Sequence, residues 1–155
     1  MQNRFENFTI TILKLNKLVH KIKLIEMKEH GLKAIHVMCI YYLNENKGGV
    51  TASELSRLTL EDKAAISRAL SQLKELGLIS YDFKAYNQPI VLTDKGEETA
   101  RYILDKASMA VEAAGGGLTE EERENFYRSL LSISQRLEEY YYSLAENAKS
   151  GGEDE

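Results

Sequence analysis

The sequence predicts a mainly α-helical protein with a small β-hairpin. Apolar residues recur every three or four positions over most of the chain, which is the period of an amphipathic helix. After Gly77 the period changes to two, which indicates strands. A single proline among 155 residues leaves long helices uninterrupted, and this length suits one compact domain.

The composition excludes several classes of protein. With 43% hydrophobic and 28% charged residues, the chain is neither collagen-like, mucin-like nor wholly disordered. Its one cysteine, Cys39, excludes an internal disulfide framework and a Cys-rich zinc site. Because no signal peptide is evident either, we expect a cytoplasmic protein. The longest near-apolar run, Ile35–Leu43, is too short to span a bilayer.

Charge is distributed unevenly along the chain. The net charge of −4 combines +4 over residues 1–50, zero over residues 51–92 and −8 over residues 93–155. Since the isoelectric point is about 5.5, bulk charge does not indicate nucleic-acid binding. A polyanion would have to bind a local surface away from the acidic C-terminal third.

The first helix is apolar on more than one side. One face carries Phe5, Phe8, Ile12 and Leu15, and a second strip adds Leu13, Leu18, Leu24 and Ile25. A terminal helix of this kind needs a partner chain to cover it, so residues 1–30 are predicted to be an N-terminal dimerisation helix. Gly31 breaks the pattern, and a second helix follows over Ala34–Asn46.

Capping signals divide the central segment. Thr51–Glu54 is a capping box that starts a short helix ending near Leu58. The next helix is capped by Asp62, or by Thr59 with Asp62 as its box partner, and Gly77 is placed to end it.

A hairpin and two long helices complete the chain. The strands are Leu78–Phe83 and Pro89–Leu92, joined by a polar turn over residues 84–88. Thr93 caps the next helix, which Gly115–Gly117 ends, and a second capping box at Thr119 opens the last helix. Residues 94–148 are predicted to be C-terminal dimerisation helices, and residues 149–155 a disordered acidic tail.

Short helix, tight turn, longer helix and hairpin together define a winged helix-turn-helix, so residues 31–93 are predicted to be a DNA-binding lobe. Lys63 and Lys74 suit phosphate, whereas Arg68 or Gln72 can hydrogen-bond a base edge. The alternative is an ordinary solvated helix face. The predicted DNA-binding residues are Thr51, Ser53, Lys63, Ala64, Ala65, Ser67, Arg68, Ser71, Gln72, Lys74, Lys84, Tyr86, Asn87 and Gln88.

The chain resembles the MarR family of bacterial transcriptional regulators over nearly its whole length. The match rests on Gly31-Leu-Lys-Ala, Val50-Thr-Ala-Ser-Glu-Leu, the run from Leu60 to Leu70, Leu73-Lys-Glu-Leu-Gly-Leu-Ile79 and Leu92-Thr-Asp-Lys-Gly96. A staphylococcal Sar-type relative of the same superfamily is the alternative resemblance.

The resemblance implies a homodimer whose first, fifth and sixth helices interlock, bound to a palindromic operator. It also implies repression that is relieved by a small phenolic or anionic effector. The chain departs from the family at the wing, because Lys84–Gln88 lacks the usual Asp-x-Arg motif. We therefore expect weaker wing contacts with DNA.

Further predictions concern interfaces and excluded chemistry. The expected dimer interface comprises Phe5, Phe8, Ile12, Leu15, Leu130, Ile133, Leu137, Tyr140, Tyr141 and Leu144. His20, His36 and Cys39 are candidates for a ligand pocket, which rests on family analogy alone. No cofactor, metal site or catalytic motif is predicted. The alternative functions are a winged-helix protein–protein interaction module without DNA binding, and a metal- or redox-sensing variant that would need Cys39 or His36 exposed.

Overall fold

The computed structural model describes residues 2–81 and 88–150, and it confirms the mainly helical fold with a small hairpin. The elements are α1 (Gln2–Glu26), a 3-10 turn (Lys28–His30), α2 (Ala34–Glu45), α3 (Ala52–Thr59), α4 (Lys63–Glu75), β1 (Ile79–Ser80), β2 (Val91–Leu92), α5 (Asp94–Gly115) and α6 (Glu120–Ser150). No described helix is both long and apolar enough to cross a membrane.

The core lies where α2, α3 and α4 pack together and against the hairpin. Its largest fully buried apolar side chains are Ile40, Leu43, Leu55, Ile66 and Leu73. This core belongs to the first of two compact units, residues 1–108, and residues 109–155 form the second. The predicted boundaries at residues 31 and 94 both fall inside the first unit. The division into dimerisation and DNA-binding segments therefore stays a prediction about function.

Several boundaries differ from those predicted. The described strands are two residues long, paired antiparallel as Ile79 with Leu92 and Ser80 with Val91. Val50, just before α3, adds a single antiparallel bridge to Ile90. Helix α6 continues through residues 149 and 150, which were predicted to lie in the tail, because no helix breaker occurs before Gly151. Residues 151–155 lie outside the described chain.

The start of α5 is fixed against the end of α4. The Thr93 hydroxyl donates to the Gly77 carbonyl at 2.6 Å and accepts from the Gly96 amide at 3.1 Å, which confirms Thr93 as the helix cap. The Lys95 ammonium donates to the Leu76 carbonyl at 2.8 Å. These bonds satisfy carbonyls left free by the end of α4. We call Gly77, Leu78 and Thr93–Gly96 the α4–α5 junction.

Gly96 leaves no room for a side chain within this junction. A Cβ atom there would lie 2.0 Å from the Leu78 carbonyl oxygen, a backbone atom that cannot move aside alone. Three residues of the Leu-Thr-x-Lys-Gly pattern therefore have separate structural roles. Thr93 caps α5, Lys95 donates to a carbonyl at the end of α4, and Gly96 allows the close backbone approach.

We predict that Gly96→Ala lowers the free energy of unfolding by about 3 kcal/mol, because it forces the junction apart. Urea denaturation at fixed protein concentration measures this. Gly116→Ala is the matched control, since its Cβ would make only an ordinary 3.6 Å contact with the Glu112 carbonyl. A Gly96→Ala protein as stable as this control would contradict the explanation of the junction.

Candidate nucleic-acid interface

Helix α4 is held with one face in the core and the other in solvent. The Asp62 carboxylate accepts from the Ala65 amide at 2.7 Å, which decides between the two caps left open by the sequence. Thr59 instead ends α3, where its hydroxyl donates to the Leu55 carbonyl at 2.7 Å. The buried face of α4 consists of Ile66, Ala69, Leu70 and Leu73.

The outward face of α4 is polar and basic. Its exposed residues are Lys63, Ala64, Ser67, Arg68, Ser71 and Gln72, and Ala65 at the N-terminal end is half-buried. Ser71 donates to the Ser67 carbonyl at 3.1 Å. Within the described chain, neither Lys63 nor Arg68 has an ion pair or side-chain hydrogen bond. Both cations are therefore available to an anionic partner.

Lys74 occupies a different environment from the other predicted contacts. It is half-buried, its ammonium donates to the Tyr81 carbonyl at 3.1 Å, and it lies 4.5 Å from the centre of the Tyr81 ring. The lysine thus connects α4 to the residue after β1. Its predicted role toward phosphate remains a prediction, and the contact with Tyr81 adds a role in positioning the hairpin.

The remaining predicted DNA contacts lie on α3 and the wing. The Thr51 hydroxyl is engaged in the predicted capping box, donating to the Glu54 carboxylate at 2.8 Å and accepting from the Glu54 amide at 3.2 Å. Hydrogen bonds from the Thr51 amide and hydroxyl lower the pKa of Glu54. Ser53 and Gln88 are exposed. Lys84, Tyr86 and Asn87 lie outside the described residues.

Cys39 and His36 are both buried in the core. Cys39 has no exposed surface, and burial raises the pKa of its thiol to about 12, so it is protonated and a poor nucleophile at neutral pH. His36 is 2% exposed. The described residues contain no group of three or more His, Cys, Asp or Glu side chains placed to hold a metal ion. The exposure required by the metal- or redox-sensing alternative is therefore not found at either residue.

A cavity of about 330 Å³ lies between α1, α2 and the α3–α4 connection. His20 lines it, whereas His36 and Cys39 do not. Lys23 also lines it, with its ammonium 3.5 Å from the Met38 sulfur, and burial lowers the pKa of this lysine. The sequence analysis missed Lys23, because the spacing of α1 does not show which lysine faces α2.

The predicted dimerisation residues are largely exposed in the single chain. On α1, Phe8, Ile12 and Leu15 are exposed, and the side chain of Phe5 lies outside the description. On α6 the exposed members are Leu130, Ile133, Leu137, Tyr140, Tyr141 and Leu144. Leu13, Leu18, Leu24 and Ile25 of the second α1 strip are exposed as well. Such extensive apolar surface is typical of an interface.

Comparison with known proteins identifies the fold. Residues 30–82 match the MarR family model, and no curated protein sequence matches the chain. A MarR protein from Peptoclostridium difficile has a TM-score of 0.80 at 23% identity, covering 89% of this chain and 92% of its own. The transcriptional regulator SlyA has a TM-score of 0.79 at 22% identity, covering 88% and 98%.

A third similar structure was solved with nucleic acid. This MarR-family transcriptional regulator from Listeria monocytogenes, complexed with a 26mer DNA, has a TM-score of 0.79 at 21% identity, covering 89% of this chain and 93% of its own. Residues 30–82 thus match the MarR family model, and the chain as a whole has the fold of these MarR and SlyA structures.

Proposed function

We propose that the protein is a homodimeric, cytoplasmic transcriptional regulator that binds a palindromic DNA operator and acts as a ligand-responsive repressor. The observation that carries the proposal is the outward face of α4, where Lys63 and Arg68 have no partner among the described residues and lie beside small and hydroxylated side chains. A similar structure that contains a 26mer DNA supports the choice of partner.

Each residue type on this face suits a part of the duplex. Arg68 can make two parallel hydrogen bonds to a guanine edge in the major groove. Lys63, at the first turn of α4, suits a phosphate as a point charge. Ala64 and the neighbouring Ser67 are small enough for the helix to enter the groove closely. Sequence readout and backbone positioning are therefore divided between different residues.

The same face disfavours the protein-interaction alternative. A partner protein would need an apolar anchor, yet the exposed described residues of the outward face are Lys, Arg, Ser, Gln and one Ala. Most of the large exposed apolar side chains of the described residues lie instead on α1 and α6. We therefore assign α4 to DNA and the two long helices to dimerisation.

The distribution of charge is a second observation that supports the homodimer, besides the exposed apolar surface. Between Asn7 and Ile25, α1 contains four lysines and no acidic residue, whereas α6 begins with Glu120, Glu121 and Glu122. Opposite charges on the two helices favour pairing between copies of the chain and disfavour pairing of like helices. With two helices of this size to cover, a second copy buries more surface than a small partner would.

The cavity beside α1 suits the effector. Lys23 is half-buried and its ammonium donates to a weak sulfur acceptor, so an anion would supply a stronger partner. The apolar side chains of Val19, Ile35 and Met38 can hold an aromatic ring. We therefore propose a small aromatic carboxylate or phenolate as the class of ligand.

Duplexes selected from a random pool at fixed salt test DNA binding, and the enriched sequence is then used to compare variants. We expect Arg68→Ala to lower affinity for that duplex by about 1–3 kcal/mol. Lys63→Ala should weaken binding to every sequence and reduce the salt dependence, because it removes a phosphate contact. Arg128→Ala, an exposed arginine on α6, is the matched control. Equal affinities for Arg68→Ala and this control would exclude Arg68 as a reader.

Light scattering after size-exclusion chromatography tests the dimer. The wild type should show about 35 kDa, twice the 17.6 kDa chain. Leu137→Glu should give a monomer, because it buries a charge in the proposed α6 interface. Gln135→Glu adds the same charge on the opposite side of α6 and should stay dimeric. A monomeric wild type, or a dimeric Leu137→Glu protein, would refute the interface.

Titration with sodium benzoate tests the cavity. Binding should be about tenfold weaker in Lys23→Gln, because a charge-assisted hydrogen bond is lost. Lys28→Gln removes an equal charge outside the cavity and serves as the control. Benzoate should also weaken DNA binding by the wild type. Unchanged benzoate affinity in Lys23→Gln would remove the cavity from the proposal.

A further inference from the structure

His36 lies on α2, which packs against α4, and it has an unusual hydrogen-bonding state. Its ring is 2% exposed, and Nδ1 accepts from the Lys33 amide at 3.1 Å, at the start of α2. Because Nδ1 is an acceptor, the neutral imidazole carries its proton on Nε2. Burial and the positive charge of Lys33 both lower the pKa of His36, so the neutral form is the relevant one.

The Nε2 donor of His36 is buried without a hydrogen-bond partner in the described structure. A buried donor in this state is uncommon and needs a physical explanation. Helices α2 and α4 pack directly together, and the polar side chain that acts on the imidazole from α4 is Gln72, which raises the pKa of the ring. Gln72 follows the α4 register three residues after buried Ala69 and one before buried Leu73.

Gln72 therefore borders both the core and the outward face. Its side chain is exposed, although its neighbour Leu73 is fully buried. A glutamine amide presents an acceptor at one end and a donor at the other, and it can read adenine only when both ends are correctly turned. A fixed donor next to the Gln72 amide would hold the amide oxygen toward itself and so select one of the two orientations of the amide.

We propose that His36 is a positioning residue for base recognition: the Gln72 amide oxygen turns to accept from the unpartnered Nε2–H, which fixes the orientation in which that amide meets DNA. The effect on base preference rests on the proposed DNA-binding function. The interaction between His36 and Gln72 does not depend on that function. The ligand chemistry it selects is the adenine edge in the major groove, with an N7 acceptor and an N6 donor. Removing His36 leaves Gln72 in place and free to rotate.

Nitrogen NMR of the full-length protein tests the contact without DNA. The ring of His36 should be in the Nε2–H form, and Gln72→Ala should shift its Nε2 resonance and speed the exchange of that proton with solvent. Ser71→Ala, the neighbouring exposed substitution, should do neither. An Nε2 resonance that is the same in the wild type and in Gln72→Ala would overturn the proposal.

Competition among duplexes that differ at single base pairs tests the consequence. At the base pair where Gln72→Ala loses its preference, His36→Phe should lose preference by about fivefold. In the Gln72→Ala background, His36→Phe should have no further effect on that preference. Cys39→Ala, equally buried three residues along α2, controls for lost stability, which weakens all duplexes alike.

The outcomes separate the two proposals. His36→Asn is the second variant should His36→Phe fail to fold, and it should lose the same preference. If the wild type binds no duplex, the proposed function fails, and the NMR comparison still decides whether His36 holds Gln72. If the wild type binds DNA and both His36 variants keep its base preferences, or if Gln72→Ala loses none, the positioning role is overturned.

Discussion

The presentation of α4 depends on the α4–α5 junction. A recognition helix can read DNA only if it is rigidly placed, and the last turn of a helix is its least constrained part because its carbonyls lack partners. Here the carbonyls of Leu76 and Gly77 are bonded by Lys95 and Thr93, and Gly96 allows α5 to begin in contact with the Leu78 backbone. The residues that flank the hairpin, Leu78 before β1 and Thr93 after β2, meet at the same junction, because the Thr93 amide donates to the Leu78 carbonyl at 3.1 Å. One backbone cluster therefore joins the end of α4, the described hairpin strands and the start of α5.

The basic residues of the lobe divide according to their contacts. Lys63 and Arg68 project from α4 without described partners, whereas Lys74 and Lys95 are committed to the carbonyls of Tyr81 and Leu76. Under the proposed function, this division explains how a chain of net charge −4 would bind a polyanion. The charge that would meet DNA is a small number of cations on α4 without described partners, and the acidic residues are concentrated in the C-terminal third.

The sequence was sufficient for features that depend on local spacing and insufficient for those that depend on distant contacts. Helix periods, the capping box at Thr51, the cap at Thr93 and the turn at Gly77 all follow from neighbouring residues, and the structure has each of them. The choice between Asp62 and Thr59 was open because both side chains can cap; the extent of α3 decides it. Lys74, Lys23 and His36 could not be assigned from spacing, since each acquires its role from another element: the residue after β1, the cavity beside α2, and α4. The weaker DNA contacts expected from residues 84–88 stay a prediction.

The most direct test of the account is a crystal structure of the protein bound to its selected duplex. We expect two α4 helices in successive major grooves, about one helical turn or 34 Å apart, with the Arg68 guanidinium within hydrogen-bonding distance of a base edge. A complex in which α4 points away from the duplex, or in which Arg68 contacts only protein, would contradict the claim that this helix reads DNA.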